Sequence, residues 1–199
     1  VFTGMICEST MRFALDADKD KRQVLSISMY VSLLGLILTC IIMPIVIQYS
    51  LTLSPYILYL LLYYMSYSLF MTISYFIQGM QLVTLSAVGG IIHTATTIIS
   101  NLVFLLWLRI GLEGYLLSFI ISGTVSSIFL LYKAKLWHYV CSFSNLDKML
   151  VKNMFRYSLP MIPNSLSWWV SNFASRYILT SFTSVYLVGI FAAANKIVS

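Results

Sequence analysis

The sequence predicts an all-α, polytopic helical membrane protein, and three observations carry that prediction. First, 60% of the 199 residues are hydrophobic and only 9% are charged, whereas a soluble domain carries about 25% charged residues. Mean hydropathy is correspondingly high, at +0.90. Second, no Asp, Glu, Lys or Arg occurs from Gln23 to Leu108. At about 20 residues per crossing, that stretch holds three spans joined by short turns. Third, apolar and polar residues do not alternate over windows of about ten, as the strands of a membrane β-barrel require.

The elements follow in order. Residues 1–13 read as the inner end of a span. Glu8 and Arg12 stand four apart on one helix face, in the favourable acid-before-base order. They make either an ordinary ion pair at the membrane edge or a substrate contact. The loop 16–23 alternates its charges and reads as a solvated connector. Val24–Gln48 is expected to form one span, with Pro44 tolerated near its end. A second runs from about Tyr56 to Ile77. Its tyrosines (Tyr56, Tyr59, Tyr63, Tyr64, Tyr67, Tyr75) are too many and too spread for an interface belt alone. Some must face protein or a wet cavity, where a hydroxyl finds a partner.

The third span, about Leu82 to Leu108, places Ser86, Gly89, Gly90, His93, Thr97, Ser100 and Asn101 at three- and four-residue steps, a packing stripe for a neighbouring helix. His93 needs a polar neighbour at that depth, and no second ligand at helical spacing makes it a metal site. The fourth, Tyr115–Tyr132, repeats the pattern with Ser118, Ser122, Gly123 and Ser126. Lys133–Arg156 is a polar connector. Asp147 offers a helix cap there, and Leu146, Met149, Leu150 and Met154 recur with helical period opposite Lys148 and Lys152. That is the pattern of an amphipathic helix in the membrane interface.

Charge orients the chain. Residues 12–22 hold four Lys/Arg and residues 133–156 hold five, while the loops 49–55 and 109–114 between them hold only Arg109. Four spans separate the two basic loops, so both fall on one side, which the positive-inside rule makes cytoplasmic. The net charge of +6 therefore belongs to membrane topology and anionic lipid rather than to nucleic acid. Cys7, Cys40 and Cys141 form no metal-ligand spacing, and no nucleotide, cofactor or metal motif is present. Without an initiator Met or signal peptide, and with a helical pattern running into its last residues, the chain is expected to be a fragment.

The chemistry concentrates in Phe155–Ser199, an apolar helical hairpin. Pro160 and Pro163 are expected to bend or unwind its start, freeing carbonyls. Beyond them Asn164, Ser167, Ser171, Asn172, Ser175 and Arg176 fall within about half the circumference at roughly 100° per residue. Trp168 lies among them, as a platform for a sugar ring or an interfacial anchor. Charges in membrane segments cost about 2.5–3.5 kcal/mol each on insertion scales and mark substrate or ion paths. With a turn near Thr183, Arg176 lies roughly 10 Å and Lys196 roughly 18 Å below the outer surface. Arg176 either snorkels outward or lines a cavity. Lys196, after Ala192, Ala193, Ala194 and Asn195, has less chance to escape and is the first choice for an anion contact.

The wording of this hairpin, FRYSLPMIPNSLSWW followed by SRYIL and the run Gly189-Ile190-Phe191 to Asn195-Lys196-Ile197, resembles the seventh and eighth transmembrane segments of polysaccharide-repeat (O-antigen) flippases. These belong to the multidrug/oligosaccharidyl-lipid/polysaccharide exporter superfamily. Glu8-Ser9-Thr10-Met11-Arg12-Phe13 is similar to the signature at the end of their second helix. The resemblance implies a two-lobe bundle of about 12–14 helices. Residues 1–132 would supply the end of the second helix and four complete helices of the N-terminal lobe, 133–156 an amphipathic linker, and 157–199 the first hairpin of the C-terminal lobe. It implies a non-enzymatic transporter in the cytoplasmic membrane that flips polyprenyl-diphosphate-linked oligosaccharides for surface polysaccharide (O-antigen, capsule or exopolysaccharide). Its partners would be that lipid, membrane lipids and other polysaccharide assembly proteins, with no cofactor. Lys196, Arg176, Asn172, Asn164, Arg12 and Trp168 are the expected substrate-binding residues. Many such relatives carry Asp where Ser175 stands here, which leaves Arg176 without an acidic neighbour. The alternatives are a multidrug exporter, disfavoured by basic rather than acidic cavity residues, and a membrane-embedded polymerase or glycosyl-transferring enzyme, disfavoured by short, plain loops.

Overall fold

The computed structural model describes residues 5–16, 20–49, 55–139, 147–182 and Phe191, without the side chains at 44–49, 138, 172, 176, 181 and 182. Among them every regular element is helical: α1 (Ile6–Leu15), α2 (Lys21–Tyr49), α3 (Ile57–Gly79), α4 (Val83–Asn101), α5 (Leu112–Lys133), α6 (Lys148–Ser158) and α7 (Met161–Phe182). Four of these helical stretches are long and apolar enough to cross a membrane: Lys21–Met43, Ile57–Gly79, Val83–Trp107 and Leu112–Lys133. They correspond to the four expected spans. The helix containing Pro44 continues to Tyr49 without a break. A feature the sequence did not announce is the π-helical turn Leu102–Trp107 that extends α4. The chain then reverses through Arg109 and Gly111, both at positive φ.

The chain divides into two compact units, Phe2–Leu159 and Pro160–Ser199. In the first, α3 is the hub and packs against α1, α2, α4 and α5. Glycine allows the closest approaches. A Cβ on Gly79 would come 2.5 Å from the Met11 carbonyl oxygen and 2.6 Å from Ala14 Cβ, so α1 and α3 meet almost backbone to backbone. Gly89 of α4 receives Leu130 of α5, and Gly123 of α5 lies against Ser66 of α3. The expected packing stripe on α5 is buried at Ser118, Ser122, Gly123 and Ser126. On α4 the same stripe is buried at Ser86 and Gly89.

In a membrane interior small residues let helices approach and hydroxyls join them. That is how this unit is held. Ser74 of α3 meets Ser86 of α4 at 2.8 Å, and Gln78 donates to Ser86 at 2.9 Å. Ser32 of α2 meets Thr72 of α3 at 3.1 Å, and Thr10 of α1 meets Ser28 of α2. His93 finds the polar neighbour expected of it: Nε2 lies 3.4 Å from Ser122 Oγ, and the ring stacks on Phe70 with centroids 4.5 Å apart.

The helix α6 is amphipathic, as the sequence predicts, and Asp147 caps it by accepting from the Met149 amide at 2.8 Å. Its buried residues are Leu150, Met154 and Ser158, while Met149 is 72% exposed. The buried side belongs to protein, because α6 packs on α1. The Asp147 amide also donates to the Gln23 side chain at the start of α2, at 3.3 Å.

Helix α6 ends at Ser158, and in the second unit α7 begins at Met161, just past Pro160. Pro163 sits in the first turn of α7, where its missing N–H would have no intrahelical partner. The expected unwinding at Pro163 does not occur. The Pro163 carbonyl instead accepts from Ser167 Oγ at 2.9 Å.

Candidate substrate path

The six residues picked from the sequence fall in different parts of the chain. Asn164 and Trp168 lie four apart on α7 and are exposed, Trp168 by 70%. The side chains of Asn172 and Arg176 lie outside the described residues, as does Lys196. Next to Trp168, Trp169 stacks on Phe173 with centroids 5.4 Å apart. Ser175 Oγ donates to the Ser171 carbonyl at 2.8 Å, so the serine standing in place of the expected Asp is engaged by its own helix.

Arg12 belongs to the first unit, in the last turn of α1. The ordinary ion pair weighed for Glu8 and Arg12 is not what the structure shows. The Arg12 guanidinium lies over the ring of Tyr157 on α6, 4.4 Å from its centroid. Phe13 meets the same ring edge-on, with centroids 6.4 Å apart. Glu8 instead accepts from the Tyr75 hydroxyl of α3, at 3.4 Å. A guanidinium over an aromatic ring face is attracted by the ring quadrupole. Arg12 therefore braces α1 against α6.

Sequence reasoning missed Tyr157, which was read only as the first residue of the hairpin. The Arg12–Tyr157 pairing spans most of the chain and has no local signature. It also missed the particular partners of the tyrosines. Tyr63 stacks on Tyr67 with centroids 5.8 Å apart and meets Phe119 of α5 edge-on at 5.7 Å. Tyr115 meets Phe119 at 4.9 Å. No group of His, Cys, Asp and Glu among the described residues is arranged to hold a metal ion.

Membrane-length helices sewn by hydroxyls, with polar and aromatic side chains along their faces, define a multi-pass membrane protein. The family model for "polysaccharide biosynthesis protein" matches residues 11–199, from the end of α1 to Ser199. The chain belongs to that family, as its hairpin wording led us to expect. No curated protein and no solved structure matches it.

Proposed function

We propose that the chain is part of a flippase that moves polyprenyl-diphosphate-linked oligosaccharide repeat units from the inner to the outer leaflet of the cytoplasmic membrane, for surface polysaccharide such as O-antigen or capsule. The observation that carries this reading is the family match over residues 11–199, which takes in all four membrane-length helices together with the hairpin. The charge pattern supports it. Residues 157–199 bring two cations, Arg176 and Lys196, and no acid into an apolar sequence, which suits a diphosphate. Asn164, Trp168 and Asn172 on α7 offer amides and a ring to sugar, and Arg12 offers a cation at the basic end where the lipid enters. The polyprenyl tail stays in the bilayer, and rocking of two lobes about the cavity gives alternating access.

The test is Lys196→Ala in the full-length protein, in cells whose surface polysaccharide depends on it. Surface polysaccharide is lost while the protein inserts at normal levels, and Lys196→Arg retains part of the activity. Normal export by the Ala variant would remove Lys196 from the path.

A further inference from the structure

On α3, every fourth residue from Tyr59 onward reads Tyr59, Tyr63, Tyr67, Met71, Tyr75. Residues four apart form one ridge on a helix surface, and this one runs about 24 Å along the axis at roughly 1.5 Å per residue. All five side chains are at least partly accessible, and Tyr67, midway along the span, is 40% exposed. At its first part the ridge is widened by Phe119 and Tyr115 of α5. At its far end Tyr75 donates to Glu8 of α1.

The exposed faces of α2 and α4 look different. Those of α2 show Leu33, Leu34, Ile37, Leu38 and Ile41, and those of α4 show Val88, Ile91, Ile98 and Ile99. These aliphatic surfaces suit lipid tails. A file of phenols ending at a carboxylate does not, because hydrocarbon offers no partner to a hydroxyl or a charge. An interface belt accounts for Tyr59 near the end of the span but not for Tyr67 at its middle. Phe would serve packing alone, so the hydroxyls are what the ridge adds.

We propose that this ridge is a carbohydrate-contacting surface, along which the sugar part of the cargo passes the first unit. A pyranose presents a C–H face and a rim of hydroxyls. A tyrosine presents a ring face and an O–H that both donates and accepts. The ridge holds one carboxylate and no cation, so it suits neutral sugar and not the diphosphate, which separates it from the hairpin site. The assignment rests on the flippase reading, and its test separates the two.

The full-length protein in nanodiscs is titrated with two probes: polyprenyl-diphosphate-linked oligosaccharide extracted from the producing cells, and unsubstituted polyprenyl diphosphate. Tyr67→Leu and Tyr63→Leu each weaken binding of the glycosylated lipid about three- to tenfold, the scale of one aromatic contact, and leave the bare lipid unchanged. Tyr67→Phe, which keeps the ring and the packing, loses less than Tyr67→Leu. If wild type binds both probes and the variants bind both as wild type does, or lose both equally, the ridge assignment is overturned and the flippase reading stands. If wild type binds neither probe, the flippase reading fails and the ridge falls with it.

Discussion

The bundle around α3 and the helix α7 are built from similar residues with different contacts. Around α3, serines and threonines bond back within their own helices and also reach across to others, as in Ser74–Ser86, Ser32–Thr72 and Thr10–Ser28. On α7, Ser167 and Ser175 turn back to carbonyls one turn earlier in their own helix. What separates the cases is the partner surface. Gly79, Gly89 and Gly123 bring neighbouring helices close enough for hydroxyls to meet, whereas α7 carries no glycine and presents Trp168, Trp169 and Phe173. A polar residue in a membrane helix thus becomes glue where a small residue admits a neighbour.

The largest effect that could break this contrast is at Gly79. Gly79→Val forces a branched side chain into the Met11 carbonyl and Ala14 and should cost about 1–3 kcal/mol, as overpacking does. The readout is the unfolding midpoint of the detergent-solubilised protein, and an unchanged midpoint would mean that α1 and α3 are not in close contact. Next comes Ser86, shared by Ser74 and Gln78. Ser86→Ala strands both and should destabilise by about 1–2 kcal/mol, more than Ser74→Ala, which leaves the Gln78–Ser86 bond in place. Ser167→Ala on α7 breaks only a local bond and should lie within about 0.5 kcal/mol of wild type. Equal losses at Ser86 and Ser167 would erase the distinction.

A smaller effect sharpens the account of α6. Tyr157→Leu removes the platform beneath Arg12 and should cost about 0.5–1 kcal/mol, while Tyr157→Phe keeps the ring and should be near neutral. Limited proteolysis between α5 and α6 reads the difference, with faster cleavage expected for Leu alone. Topology gives a last check. Single cysteines at Lys19 and Lys148 should resist labelling from outside intact cells, and one at Thr52 should label. Equal outside labelling at Thr52 and Lys148 contradicts the four-span count.

Much of the fold was legible because membrane helices announce themselves by length. The long uncharged run from Gln23 to Leu108 left room for little else, and the small-residue stripe on α5 is buried as read. That on α4 is buried at Ser86 and Gly89, while a Cβ at Gly90 would meet nothing within 4 Å. Tertiary choices were not legible. Periodicity grouped Met149 with Leu150 and Met154, yet only contact with α1 decides that Leu150 and Met154 are buried and Met149 is not. Helical spacing joined Arg12 to Glu8, but each found a ring or a hydroxyl on another helix instead. The π-helical turn at Leu102–Trp107 has no period of its own to read. At the candidate site, the sequence offered the cations and amides of the hairpin. The tyrosine file on α3 was visible letter by letter, but its meaning depends on which helix faces stay exposed.

The most direct measurement is lipid translocation by the full-length protein in proteoliposomes. Polyprenyl-diphosphate-linked oligosaccharide from the producing cells is loaded in both leaflets, and its appearance in one leaflet is followed with an impermeant probe of the sugar. The account predicts that wild type speeds transfer well beyond protein-free vesicles and that Lys196→Ala removes most of the gain. Transfer no faster with wild-type protein than without it would contradict the account.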